Sequence, residues 1–182
     1  LSNEHQADLK AEADAAKAAA DKIIAARRRI IDIELSLLAD SRDKALKIRE
    51  EQYQREVQDA KRNGEYSIKL ARALATQFRD ERSKINNEWD KKDIQDEIKA
   101  NDLIISNMEK QGQDTLKMRL YQLQKQRELE EKEGGDLNEI RLKYELLAIA
   151  ETEKNADDAA AKAVQAFSKV TGSIKTQAEK DI

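Results

Sequence analysis

The sequence predicts an all-α protein built from long amphipathic helices that form an elongated coiled coil or helical bundle. Three observations lead there. The 182 residues contain no Pro and only five Gly, so little in the chain interrupts a helix. Charged residues make up 39% of the chain, with both signs interleaved and a net charge of -3. Apolar residues recur in steps of three, four and seven, the spacing of one helix face. One Trp, four Tyr and two Phe are too few aromatics for a large compact core.

Four helical segments follow from the glycines, with breaks expected at Gly64, Gly112 and Gly134-Gly135. Residues 1–63 read as one helix. Its opening, AEADAAKAAADKIIAA, is rich in Ala, the best helix former and a thin seam that a partner can approach closely. Ile24, Ile31, Leu38 and Ala45 then recur every seven residues, and Leu46, Tyr53 and Ala60 continue from a frame shifted by one. Residues 65–111 carry a stripe that includes Phe78, Ile85, Trp89, Ile98 and Ile105. Residues 113–133 place Leu116, Leu120 and Leu123 on one face. In residues 136–171, Asp136 is positioned to cap the helix, with Glu139 three residues on as in a capping box. Leu137, Ile140, Tyr144 and Leu147 form its seam, and the Ala-rich tail ends in an apolar face of Val164, Phe167 and Val170. Gly172 is the last glycine, near the end of the chain. These seam positions are expected to mediate homo-oligomerisation.

The chain also matches itself at an offset of about 70, aligning residues 33–74 with 103–144. Leu46-Lys47-Ile48-Arg49 falls on Leu116-Lys117-Met118-Arg119, Gln52 and Gln54 fall on Gln122 and Gln124, and Gly64 falls on Gly134. The implied unit is a helix, a glycine break and a second helix, which adds length without enlarging a core.

The residues offer little chemistry. There is no Cys, and the single His5 has no HExxH context, so neither a metal nor a cofactor is expected. No glycine belongs to a phosphate-binding loop, and no serine to a GxSxG elbow. The carboxylates sit three or four residues from Lys or Arg, as on a solvated helix face, so the chain reads as a non-enzyme. Arg27-Arg28-Arg29 is the sharpest basic cluster. Asp32 and Glu34 follow it closely, which favours a solvated helix face over specific nucleic-acid binding. Trp89 shares a stripe with Phe78 and Ile85 and reads as a packing anchor. The opening LSNEHQADLK has no apolar core for a signal peptide, and no apolar run is long enough for a membrane span. An opening Leu in place of Met reads as that of a piece of a longer protein.

The stretch RRRIIDIELSLLADSRDKALKIREEQYQREV, its echo in LIISNMEKQGQDTLKMRLYQLQKQRELEEKEGGDLNEIRLKYELLAIAETEK and the Ala-rich flanks resemble the coiled-coil mid-region of phage tail tape-measure proteins. The similarity covers most of residues 20–155, and no catalytic residues come with it. The resemblance implies a rod in the lumen of the virion tail tube whose length fixes the tube length. It also implies parallel copies, tail-tube subunits around them and assembly chaperones in the bacterial cytoplasm. A fully helical chain of this length would span roughly 270 Å if never folded back. The alternative reading is a cytoplasmic coiled-coil scaffold or adaptor that folds back at its glycines into an antiparallel bundle. Small-angle scattering separates rod from globule. The rod expectation requires a radius of gyration several times the roughly 16 Å of a compact chain of this length, and a value near 16 Å would defeat it.

Overall fold

The computed structural model describes residues 3–180, with side chains for 5–166, 168 and 169. The expected tail residues Phe167 and Val170 lie outside the described side chains. The protein is all-α, 90% helical, with no strand among the described residues. Five helices follow in order: α1 (Asn3–Leu37), α2 (Arg42–Arg62), α3 (Ile68–Lys110), α4 (Leu116–Glu133) and α5 (Leu137–Lys180). They form two compact units, Leu1–Asn86 and Asn87–Ile182, and α3 contributes residues 68–86 to the first and 87–110 to the second.

The expected single helix over residues 1–63 is two helices, interrupted between Leu37 and Arg42. The cause is local hydrogen-bonding chemistry. Ser41 is extended, and its hydroxyl accepts the Lys44 N–H at 3.2 Å, capping α2. The Lys44 ammonium donates back to the Leu38 carbonyl at 2.9 Å and so satisfies the end of α1. Asp43 in the first turn of α2 complements the helix dipole. The seven-residue repeat runs across this break because Leu38 and Ala45 keep phase by count, whereas the helix does not continue between them.

The glycine breaks are turns. Gly64, Gly112 and Gly134 all have positive φ, at 73°, 70° and 90°. After α2, the Glu65 and Tyr66 N–H groups both donate to the Ala60 carbonyl, at 2.9 and 3.1 Å, closing the helix end as a left-handed glycine allows. Asp136 caps α5 as expected, accepting from the Asn138 and Glu139 N–H groups at 2.9 and 3.0 Å. α4 starts at Leu116, three residues later than expected, with Asp114 accepting its first N–H at 2.9 Å. Helix α5 runs through Gly172, which is therefore not a break.

In the first unit the chain folds back on itself. Asp21, Arg28 and Asp32 of α1 pair with Arg62, Asp59 and Arg55 of α2, one series rising as the other falls, so the two helices are antiparallel. The α2–α3 pairs Arg49–Glu81 and Tyr53–Phe78 give the same sense. In the second unit, Asp90, Glu97 and Asp102 of α3 pair with Lys132, Lys125 and Gln122 of α4. Glu130 and Glu131 of α4 pair with Lys143 and Arg141 of α5. Each unit is thus a set of antiparallel hairpins.

The interior is thin. Ala60, Ile94 and Ile140 are the buried apolar residues among those described, and no described side chain is fully enclosed. Hydrophobic burial of this extent leaves polar pairing and turn geometry a large share in holding the hairpins closed. Gly64→Ala is therefore expected to destabilise the first unit by about 1 kcal/mol. Its Cβ would meet nothing within 4 Å, so the cost is backbone strain alone. Urea unfolding followed by circular dichroism measures it, and an unchanged midpoint would refute the assigned role of the turn.

Candidate functional site

The functional surfaces of such a chain are its helix seams. The inner stripe of α1 is Ile24, Arg28, Ile31 and Leu35, all half-buried. That of α2 includes Leu46, Arg49, Tyr53 and Ala60, and that of α3 in the first unit is Leu70, Leu74, Phe78, Glu81 and Ile85. In the second unit α3 turns inward Ile94, Ile98, Asn101 and Ile105, with Trp89 half-buried at the start. Leu116, Arg119, Leu120, Gln122 and Leu123 follow on α4, and Ile140, Tyr144, Ala148 and Glu151 on α5.

Most of the expected seam is therefore brought together, but inside the chain. Ile24, Ile31, Leu46, Tyr53, Phe78 and Ile85 line the first unit. Trp89, Ile98, Ile105, Leu116, Leu120, Leu123, Ile140 and Tyr144 line the second. Three residues are not in the seam. Leu38, Leu137 and Leu147 are exposed, at 40%, 49% and 41%. Leu38 lies in the break after α1, and Leu137 is the first residue of α5. Leu147 yields to Ala148 because the inner face of α5 steps four residues from Ile140 to Tyr144 and four more to Ala148, which also turns Glu151 inward. Trp89 is half-buried with the Lys92 ammonium 4.3 Å from its ring, a packed and polar-capped position.

Charged side chains are the seam residues that apolar periodicity does not reveal. Arg49 is buried, 5% exposed, and pairs with Glu81 of α3 and with Glu56 at 3.4 Å. Its guanidinium also lies 5.8 Å from the Phe78 ring, which stacks on Tyr53 at 4.6 Å. Seventy residues on, Arg119 pairs with Glu151 of α5 and Glu109 of α3, and its Nε donates to Thr115 at 3.0 Å. Each of these arginines reaches 32 residues ahead to a glutamate on the next long helix. A looser echo follows: Arg62 pairs with Asp21 in the first unit, and Lys132, 70 residues on, pairs with Asp90, one residue out of that register. The inward positions of α3 and α5 also coincide at the same offset, Leu70 with Ile140, Leu74 with Tyr144, Phe78 with Ala148 and Glu81 with Glu151. The sequence held this signal in the matching LKIR and LKMR, whose arginines are these two.

Arg28, the middle of the triple-arginine cluster, is withdrawn from solvent. It donates two hydrogen bonds to Asp59, at 2.6 and 3.1 Å, while Arg27 and Arg29 stay exposed. Arg55 forks onto Asp32 in the same way, at 2.6 and 3.3 Å. The second unit has polar residues where the first is apolar: Asn101 stands in the register of Ile31 and is buried. Gln122 of α4, whose counterpart Gln52 is exposed, is buried as well, donating to Asp102 at 2.6 Å and to the Ile98 carbonyl at 3.2 Å.

The electrostatics follow the pairing. The hydrogen bonds from Arg55 and Arg28 hold Asp32 and Asp59 below the usual carboxylate range. Burial, with a hydrogen bond to Glu130, pushes the Tyr144 hydroxyl up to about 12. Among the described residues no group of three or more His, Cys, Asp or Glu is placed to hold a metal ion. None of their helices is long and apolar enough to cross a membrane. No family model matches the chain, and neither a curated protein nor a solved structure shows significant similarity to it.

Two outcomes follow from these braces. Arg49→Ala and Arg119→Ala are each expected to cost about 1–2 kcal/mol, because the partner glutamates keep some contact with water. Arg49→Met combined with Glu81→Met is expected to recover most of that loss, as apolar replacement of an ion pair does. Chemical denaturation of the three variants measures both, and a neutral Arg49→Ala would refute the brace. For pH, carboxylates depressed in the folded state contribute stability that is present above their unfolded value near 3.9. That contribution is lost as pH falls through the lower folded value. The melting temperature is thus expected to hold steady from pH 7 to 5 and to drop below about pH 4. A rise on acidification would contradict the Asp32 and Asp59 pairings.

Proposed function

We propose that this chain is a non-catalytic structural segment, a helical repeat that works by spanning distance and by associating with other chains. The observation that carries this reading is the recurrence of the arginine–glutamate brace with its turn and inward stripe after 70 residues. A device repeated along a chain serves extent better than it serves a single reaction centre.

The specific form of the function is that of a tail tape-measure protein in a phage or prophage. The resemblance over residues 20–155 supports it, and so does the thin interior, since hairpins with three buried apolar residues open at modest cost into a rod. In that role the segment lies in the tail-tube lumen of the virion, surrounded by tail-tube proteins after assembly chaperones have left it. Helix rise then converts residue count into length.

A second reading, the scaffold or adaptor that folds back at its glycines, is favoured by the closed turns and the ion pairs across each hairpin. The test is an in-frame deletion of residues 65–134 from the full gene product in its own genetic setting. The tape-measure role is expected to shorten the tail by about 105 Å, the helical rise of 70 residues. A tail of unchanged length, or an operon that builds no tail, would sink that role and leave the scaffold.

A further inference from the structure

Folding the seam inward leaves two apolar stripes outside. On α1, Ile23, Ile30, Ile33 and Leu37 are 51–79% exposed on the face away from α2. On α5, Leu142, Leu146 and Ile149 are 55–59% exposed, directly opposite the inward Ile140 and Tyr144. The repeat supplies an internal control. In α3, the positions 70 residues from Leu142, Leu146 and Ile149 are Arg72, Thr76 and Arg79, whereas those matching Ile23, Ile30, Ile33 and Leu37 are Asp93, Ala100, Leu103 and Asn107, with Leu103 again exposed. The unit itself therefore does not require the α5 stripe, and solvent alone does not favour it.

We propose that the outward stripe of α1 in one copy of this chain docks, in parallel, on the outward stripe of α5 in a second copy. The inference rests on the associative part of the function proposed above. Size complementarity sets the direction. The α1 stripe begins with alanines, Ala16 and Ala19, and ends in its bulky residues; the α5 stripe begins bulky, narrows at Ala156 and Ala160 and ends in the exposed Val164. Laid parallel, Ala16 and Ala19 face Leu142 and Leu146, and Ile30 and Ile33 face Ala156 and Ala160, the close fit that interlocking helices use. Charge complementarity selects the partner. The α1 stripe is rimmed by exposed Lys22, Arg27 and Arg29, with Glu34 beside Arg27; the α5 stripe carries exposed Glu153 along it and is rimmed by exposed Glu139 and Glu145, with Lys143 beside Glu139. Like stripes would set basic rim against basic rim, or acidic against acidic. In the parallel register Arg27 lies level with Glu153. This gives the two outer arginines of the triple cluster a role distinct from that of Arg28. The contact is heterologous, so each copy keeps one free face of each kind and assembly continues into chains or closed rings.

The chain has no Cys, which permits a direct test. Two full-length single-cysteine variants, Ile33→Cys and Ala160→Cys, are mixed and oxidised. Parallel docking brings these positions within disulfide reach, so a mixed dimer is expected in excess of either homodimer. Arg27→Glu with Arg29→Glu in the first variant is expected to lower the yield about tenfold. Glu145→Lys with Glu153→Lys in the second is expected to restore it. Preferential linkage of Ile33→Cys to a Leu146→Cys variant would overturn the parallel arrangement. Homodimers alone, or a wild-type chain that stays monomeric throughout a sedimentation series, would overturn the interface. The tail-length deletion reads independently of all of these, so the two proposals fail separately.

Discussion

The fold depends on one interaction made twice: an arginine near the start of a short helix, held against a glutamate on the following long helix. Arg49–Glu81 and Arg119–Glu151 decide which faces of α3 and α5 turn inward. An ion pair drawn partly out of water adds little net stability. Its effect is on register. A slip of one residue would leave a desolvated guanidinium without its partner, a larger penalty than an apolar seam imposes for the same slip. A seam of Leu, Ile and Ala alone is permissive, and this one is made selective by charge.

Much of this was legible in the sequence, and the limits were physical. Helix class, the turns at Gly64, Gly112 and Gly134 and the cap at Asp136 follow from local preferences that tertiary packing did not override. The break at 38–41 was missed because apolar counting is blind to capping. Asp40-Ser41 was the available signal, a polar pair of the kind that begins helices. Leu147 lies outside the inward face of α5 for a related reason, since Leu attracts a hydrophobic count and Ala148 and Glu151 do not. The direction of folding was beyond periodicity altogether. Heptad spacing is the same whether the partner helix belongs to another copy or to the same chain after a turn, and only the cross-helix pairs distinguish them.

The two units solve the same problem with different materials. Tyr53 and Phe78 stack between α2 and α3, whereas their counterparts Leu123 and Ala148 leave less bulk in the second unit. Arg28–Asp59 occupies the register that Ile98 and Leu129 fill 70 residues later. Asn101 then brings an amide to a position held by Ile31 in the first unit. A buried amide narrows the alignments a helix pair can adopt, at a cost in stability. Both units reach one geometry, with the first relying more on stacked rings and forked guanidinium groups and the second more on aliphatic contact and amide bonding.

The thin interior has a consequence for descent. With few side chains enclosed, few positions dictate which residue must stand there, and the remainder answer only to helix propensity and solubility. Such a sequence can drift until ordinary similarity vanishes while its geometry persists. What selection has to retain is arithmetic: arginine and glutamate 32 residues apart, repeated after 70, with a glycine between them. Kinship among chains of this kind is to be sought in that spacing, for the residues between the marks are free to change.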